Sequence, residues 1–163
     1  MAVHSAGLLL YRLADGGPEV LIAHMGGPYW AGKEAGAWSI PKGEYDPDAE
    51  SALDAAQREF REELGIDPPE GPYAELGTYP YSSGKRVTVF VADGGASAAS
   101  ASDVAFAFGE FEMEWPPRSG KTARFPEVDR AEWVALDAAA ERLVKGQRPA
   151  LEALAEQLRD AGA

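Results

Sequence analysis

One segment of the sequence combines a strong helical pattern with a high density of acidic residues. This segment, residues 48–64, lies between two pairs of probable strands, residues 3–13 with 18–25 and residues 74–82 with 85–93. Its apolar residues recur every three or four positions, whereas short apolar runs bounded by turn residues are typical of strands. A single helix embedded among strands predicts a mixed α/β fold rather than a regular parallel array of β-α-β units.

The remaining elements are predicted from apolar patterning and turn residues. Glycine-containing turns at residues 15–18 and 83–84 predict a hairpin within each strand pair. The length of 163 residues predicts a single domain spanning residues 1–163. Further along the chain we expect a strand at 38–40, a strand at 104–115, a loop at 116–126, a strand at 131–136, and helices at 137–145 and 148–160.

The helical segment has two neighbouring faces of opposite character. At 100° per residue its apolar residues form one stripe, made of Leu53, Ala56, Phe60 and Leu64. Glu59, Glu62 and Glu63 share the adjacent face. Three carboxylates at the edge of a core are unfavourable unless a cation lies among them, and divalent ions such as Mg²⁺ take such oxygen ligands. The alternative is a solvated face with Arg58 and Glu62 as an i, i+4 ion pair.

Acidic residues dominate the charge of the chain. There are 15 Lys and Arg against 27 Asp and Glu, a formal net charge of −12, and ten of the acids lie between residues 44 and 70 beside only two arginines. Bulk attraction to long nucleic acid or to an anionic membrane is therefore excluded. A ligand that carries phosphates needs a metal ion or a few well-placed cations.

Cysteine is absent, which excludes disulfides, thiolate zinc sites and a cysteine nucleophile. The first residues lack the basic region of a secretory signal, and no apolar stretch reaches the length of a membrane span. These features predict a cytoplasmic protein. They leave the oligomeric state open.

Residues 43–66, GEYDPDAESALDAAQREFREELGI, resemble the signature of the Nudix hydrolase family. The match runs without a gap from Glu50 through Arg58-Glu59 and Glu62-Glu63 to Gly65-Ile66. In the family, five residues usually separate the first glycine from the first glutamate, whereas six separate Gly43 from Glu50. This insertion lies in a loop, where extra length costs little.

The resemblance implies an α/β/α sandwich with a mixed sheet and a catalytic helix at about residues 48–64. It also implies hydrolysis of a pyrophosphate bond in a nucleoside triphosphate or a related nucleoside diphosphate derivative, with Mg²⁺ or Mn²⁺ as the cofactor. By the same resemblance, Glu59, Glu62 and Glu63 and the carbonyl of Gly43 hold the metal. Further implied roles are orientation of the acids by Arg58, a supporting salt bridge from Glu50 and a phosphate contact from Lys42. The segments beginning at Trp38 and Glu114 also look like those of small bacterial nucleoside triphosphate pyrophosphohydrolases.

Several candidates lie outside the signature. Glutamates on a late strand or loop serve some relatives as a further metal ligand or as the general base, and Glu112, Glu114 and Glu127 are the candidates here. The alternative for the first two is an exposed strand face. Arg118 and Lys121, with Arg124, form a compact basic cluster, which is either a clamp on distal phosphates or a solvated loop.

A nucleobase needs an aromatic stacking partner, and Trp30 in the glycine-rich loop of residues 26–36 is the first candidate. The other aromatic candidates are Trp38, Tyr29, Tyr79 and Tyr81, each of which is alternatively a core residue. Three alternative substrates remain open: a dinucleoside polyphosphate, ADP-ribose and a nucleotide sugar. A different class of function is a Nudix module that binds a nucleotide without cleaving it.

Overall fold

The structure is a computed structural model that describes residues 3–82 and 84–162. Its strands are β1 (Val3–Ala14), β2 (Gly17–Met25), β3 (Trp38–Ser39), β4 (Lys42–Glu44), β5 (Ala74–Ser82), β6 (Lys85–Asp93), β7 (Glu110–Glu114), β8 (Thr122–Pro126) and β9 (Val128–Ala135). Its α-helices are α1 (Ala52–Leu64), α2 (Leu136–Arg142) and α3 (Arg148–Asp160).

Within the described residues, a seven-stranded mixed sheet forms the centre of the fold. Its strands run in the order β3-β2-β1-β6-β5, with β4 paired to β1 and β9 paired to β2. β1 is parallel to β6 and antiparallel to β2 and β4. The mixed strand directions follow from the α1 connection that separates the two hairpins.

Helices cover both faces of the sheet. Side chains alternate along β1, so this strand contributes apolar residues to a core on each face. Leu8 and Leu10 belong to the core shared with Phe60 of α1. Leu9, between them in the chain, belongs to the core shared with Leu154 of α3. The fold is therefore an α/β/α sandwich, as the resemblance implies.

Helix α1 begins later than predicted, at Ala52 rather than at residue 48. The side chain of Ser51 accepts a hydrogen bond from the backbone N–H of Asp54 at 3.1 Å, which caps the helix there. Gly65 ends it in a left-handed conformation, with φ of 70°. The buried side of α1 is Ala55, Ala56, Phe60 and Leu64, whereas Leu53 is only half-buried.

Residues 104–126 also differ from the prediction. Only β7 is a strand within 104–115, and β8 lies in the stretch predicted as a loop. The two strands form a separate antiparallel ribbon, with a turn between them. Phe106 and Phe108, which fall within the predicted strand, instead lie in an irregular segment that packs against the α1 core. The N–H of Ala107 donates to the carbonyl of Leu64 at the end of α1.

The short strand β4 follows Pro41 and had no counterpart in the prediction. Part of the turn expected at residues 83–84 lies outside the described residues. Among the described residues no helix is both long and apolar enough to cross a membrane.

Candidate active site

Strand β4 and helix α1 meet closely at one point. Gly43 of β4 pairs with Ala6 of β1. The side of Gly43 on which another residue would carry its Cβ faces the carboxylate of Glu59. A Cβ on Gly43 would lie 2.0 Å from Cδ of Glu59, a distance that real contacts do not allow. Glycine is therefore required here so that the Glu59 side chain can lie against the backbone of β4.

Arg58 binds three of the acids together. Its guanidinium donates to Glu50 at 2.5 Å, to Glu59 at 2.8 Å and to Glu62 at 3.3 Å. The hydrogen bond with Arg58 lowers the pKa of Glu50, and the same bond is the main cause of the raised pKa of Arg58. The i, i+4 pair between Arg58 and Glu62 is thus present, but it is one part of a larger network.

Glu63 lies deepest of the three helix glutamates. Its pKa is raised to about 8, chiefly by burial; the positive charge of Lys42 opposes the rise, and the negative charges of Glu59 and Glu127 add to it. Burial also raises the pKa of Glu59, with Arg58 opposing and Glu62 adding to the rise. These carboxylates are close enough to disfavour one another's ionised forms.

Glu127 joins this group from the junction between β8 and β9. Its backbone N–H donates to the carbonyl of Gly109 at 2.7 Å, and its carbonyl accepts from the N–H of Gly26 at 2.9 Å. A Cβ on Gly109 would lie 2.8 Å from the carbonyl oxygen of Glu62, so this segment is packed directly on α1. Glu127 is exposed, yet partial desolvation by the surrounding protein raises its pKa, and the charge of Glu62 adds to the rise.

The donor set suits a hard divalent cation, because it consists of crowded carboxylate oxygens whose ionised forms need positive charge. In residues 3–82 and 84–162, no three acidic or histidine side chains are already arranged around one metal position. The hydrogen bonds from Arg58 explain this, since they turn Glu59 and Glu62 towards the guanidinium. The residues fit a metal ion if these side chains turn towards it.

Lys42 has an aromatic partner that is distant in the sequence. Its Nζ lies 5.0 Å from the ring centre of Tyr81, whose hydroxyl group lies 3.1 Å from Oγ of Ser5. Among the described side chains, no carboxylate lies within ion-pair distance of Lys42. The three residues are far apart in the sequence, so no local pattern signals their contact.

Glu112 and Glu114 lie on the β7–β8 ribbon and are exposed. Glu112 is 3.8 Å from Arg124, and Glu114 accepts backbone hydrogen bonds from Arg118 and Gly120 at 2.9 and 3.3 Å. Within the described residues, neither glutamate makes a hydrogen bond or ion pair with α1. Arg118 and Lys121 are exposed in the turn at the far end of the ribbon.

Burial of Trp38 corrects the expectation that it stacks on a substrate. Its side chain is 0% exposed, its indole N–H donates to Glu34, and the guanidinium groups of Arg130 and Arg142 lie 5.0 and 5.3 Å from its ring centre. No face of the ring is left for a nucleobase. Trp30 is half-buried, with Nζ of Lys33 5.7 Å from its ring centre.

Comparison with known proteins places the chain in a family. The NUDIX domain family model matches residues 3–154, so the chain belongs to the Nudix family. Its class is that of the Nudix pyrophosphohydrolases, enzymes that generally use divalent metal ions. A comparison with curated proteins found no match.

Three solved structures illustrate the fold. An Ap4A hydrolase from C. elegans, in a binary complex, is 22% identical with a TM-score of 0.63, over 98% of this chain and 99% of that one. The NUDIX domain of Shewanella oneidensis NrtR, in complex with ADP ribose, is 16% identical with a TM-score of 0.63, over 97% and 89%. The MutT protein from Methanosarcina mazei Go1 is 23% identical with a TM-score of 0.59, over 96% and 94%.

Proposed function

We propose that this chain hydrolyses a pyrophosphate bond in a nucleoside triphosphate with Mg²⁺ or Mn²⁺ as the cofactor. The observation that supports this most is the group of carboxylates at α1. Glu59, Glu63 and Glu127 all have raised pKa values, to which burial and mutual repulsion contribute, and a divalent cation among them would relieve that repulsion.

Glu59, Glu62 and Glu63 hold the metal in this proposal, together with the carbonyl oxygen of Gly43. A bound divalent ion supplies charge for phosphate oxygens and lowers the pKa of water. Arg58 orients the acids through its hydrogen bonds to Glu50, Glu59 and Glu62. Positioning and electrostatics do most of the work in phosphoryl chemistry, so a rigid α1 is central to the activity.

Glu127 is our candidate for the general base. Water oxygen bonds to phosphorus, the bridging P–O bond breaks, and the proton of the water passes to the carboxylate of Glu127. The position of the Glu127 carboxylate beside Gly109, which packs on α1, favours it over Glu112, whose carboxylate faces Arg124 on the ribbon.

Two glutamine variants decide between these bases. We expect Glu127→Gln to lower kcat about a hundredfold and to remove the acidic limb of the pH–rate profile. If Glu112→Gln shows this loss in kcat and Glu127→Gln stays close to wild type, the general base is Glu112.

Lys42 supplies positive charge to the phosphate chain in this proposal. Trp30 remains the proposed stacking partner of the nucleobase, and Arg118 and Lys121 remain the proposed contacts of the distal phosphates. Since the net charge is −12, we also expect nucleotide binding to depend on the metal, without binding to long nucleic acid. A cytoplasmic location stays a prediction.

A panel of nucleotides assayed with Mg²⁺, with and without EDTA, tests the proposal. We expect a nucleoside triphosphate to be turned over and EDTA to abolish the activity. If folded protein cleaves none of the panel, the proposal is wrong.

Dinucleoside polyphosphates and ADP-ribose are the second candidate class. Similarity to the C. elegans Ap4A hydrolase over nearly the full length of both chains, and to the ADP-ribose-bound NrtR domain, is the reason to include them. Product analysis separates the classes, because pyrophosphate, inorganic phosphate and a sugar phosphate are different leaving groups. Tight nucleotide binding without metal-stimulated cleavage would instead indicate a binding module.

A further inference from the structure

We propose that Tyr81 is a positioning residue that holds the ammonium group of Lys42 at strand β4, next to Gly43, for a phosphate of the substrate. The contact is a cation–π interaction, with Nζ of Lys42 5.0 Å from the ring centre of Tyr81. The role assigned to the phosphate rests on the proposed function, whereas the contact itself does not.

The direction of the Lys42 side chain explains why its ammonium group needs a partner that fixes its position. Successive residues of a strand point to opposite faces, and Gly43 faces α1, so Lys42 leaves β4 on the other face. Tyr81 packs at the edge of the core on that same face. A free lysine side chain samples many rotamers, whereas the ring of Tyr81 restricts this one beside β4, one residue away from the Gly43 backbone that the Glu59 side chain lies against.

The ring of Tyr81 is itself fixed from two sides. Its hydroxyl group hydrogen-bonds to Ser5, which is 1% exposed and lies on the central strand β1. Gly146 lies against its other end, where an added Cβ would be 2.9 Å from Cβ of Tyr81. A tyrosine anchored in this way is a rigid platform rather than a mobile surface residue.

An aromatic partner leaves the positive charge of Lys42 available, whereas a carboxylate partner would neutralise it. An ion pair would neutralise Lys42, whereas the ring face attracts the ammonium group and leaves its positive charge and N–H donors for an incoming phosphate. Few cations lie in this acidic part of the chain, since only Arg58 and Arg61 interrupt the acids of residues 44–70. Arg58 is already committed to Glu50, Glu59 and Glu62.

The kinetic test uses Tyr81→Phe, Tyr81→Leu, Lys42→Met and the double variant Lys42→Met/Tyr81→Leu. Tyr81→Leu should raise KM for the preferred nucleotide about three- to tenfold, with kcat within about twofold of wild type. Tyr81→Phe keeps the ring and should stay within about twofold in both constants. In the Lys42→Met background, Tyr81→Leu should change KM by less than about 1.5-fold, because its effect passes through Lys42.

Two results would overturn the proposal. An equal KM increase from Tyr81→Leu with and without Lys42 would make Tyr81 a merely structural residue. A loss from Tyr81→Phe as large as that from Tyr81→Leu would assign the effect to the hydroxyl group instead. Lys85→Met removes one positive charge from β6 and serves as the matched control for Lys42→Met.

An NMR measurement keeps this test separate from the proposed function. The side-chain CH₂ protons of Lys42, assigned by their loss in Lys42→Met, should be shifted upfield by the ring in wild type and in Tyr81→Phe, but not in Tyr81→Leu. Absence of the shift in wild type would overturn the contact. Wild-type inactivity on every nucleotide would overturn the proposed function, while the shift would still decide whether Tyr81 holds Lys42.

Discussion

Two groups of three glutamates in this protein have the same chemistry and opposite surroundings. Glu59, Glu62 and Glu63 lie on α1, two of them half-buried, and the pKa of Glu63 is raised to about 8. The other group, Glu110, Glu112 and Glu114 on β7, is exposed to solvent. Its members face Arg124 or the backbone N–H groups of the adjoining turn.

The difference shows that acidity alone does not define a site. Water and a nearby arginine already stabilise the carboxylates of β7, so these gain little from a metal ion. On α1, burial and neighbouring charge oppose ionisation, and one arginine is shared by several acids. A bound divalent cation would therefore stabilise the carboxylates of α1 more than those of β7. Four variants test this contrast.

The largest effect is expected at Glu62. Glu62→Gln should lower kcat about a thousandfold, because a proposed metal ligand is lost while the exposed position leaves the fold intact. Steady-state kinetics with Mg²⁺ checks this, and circular dichroism verifies folding. Glu110→Gln on β7 is the matched control, expected within about twofold of wild type. Near-normal kcat for Glu62→Gln would remove the contrast between the two groups.

A methyl group at Gly43 should have the next largest effect. Gly43→Ala would force Glu59 away, since the new Cβ would lie 2.0 Å from its Cδ. We expect the Mg²⁺ concentration for half-maximal activity to rise about 10- to 100-fold. Gly16→Ala in the β1–β2 turn is the control, because its Cβ would meet nothing within 4 Å. Equal behaviour of the two variants would contradict the proposed geometry.

The raised pKa of Glu63 predicts how stability depends on pH in the absence of metal. Between pH 4.5 and about 8, folded Glu63 holds a proton that the unfolded chain has lost, so the free energy of unfolding falls as pH rises. We expect this group to contribute a fall of about 3 kcal/mol between pH 5 and pH 8, and Glu63→Gln to remove it.

Urea unfolding in EDTA at several pH values measures this difference between wild type and Glu63→Gln. Parallel pH dependences for the two proteins would mean that Glu63 ionises normally. Glu110→Gln again serves as the control, because it makes the same substitution at an exposed glutamate on β7.

The smallest effect is expected on the ribbon. Glu114→Ala removes acceptors for the N–H groups of Arg118 and Gly120, but this turn is exposed and water replaces them. We expect a loss of about 1 kcal/mol or less in the free energy of unfolding, measured with urea. A loss above about 3 kcal/mol would show that the ribbon carboxylates are as constrained as those on α1.

Local pattern determined much of the fold in advance. The strand pairs, the α1 helix and α3 at residues 148–160 were predicted from apolar periodicity, and the family from the spacing of Glu50, Arg58, Glu59, Glu62 and Glu63. The errors came where tertiary contacts override periodicity. Phe106 and Phe108 lie in an irregular segment that packs on α1, although their spacing is that of a strand. The start of α1 depends on the cap formed by Ser51.

The sequence by itself determined which residue types lie on one helix face, since i, i+3 and i+4 spacing is a property of the helix alone. Only the tertiary structure decided which distant groups meet them. Glu127 approaches α1 through Gly109, Lys42 lies over Tyr81, and Trp38 is enclosed in the core. The physical reason is that charge coupling, burial and cation–π contact depend on distances through space, which strand pairing sets between residues far apart in the chain.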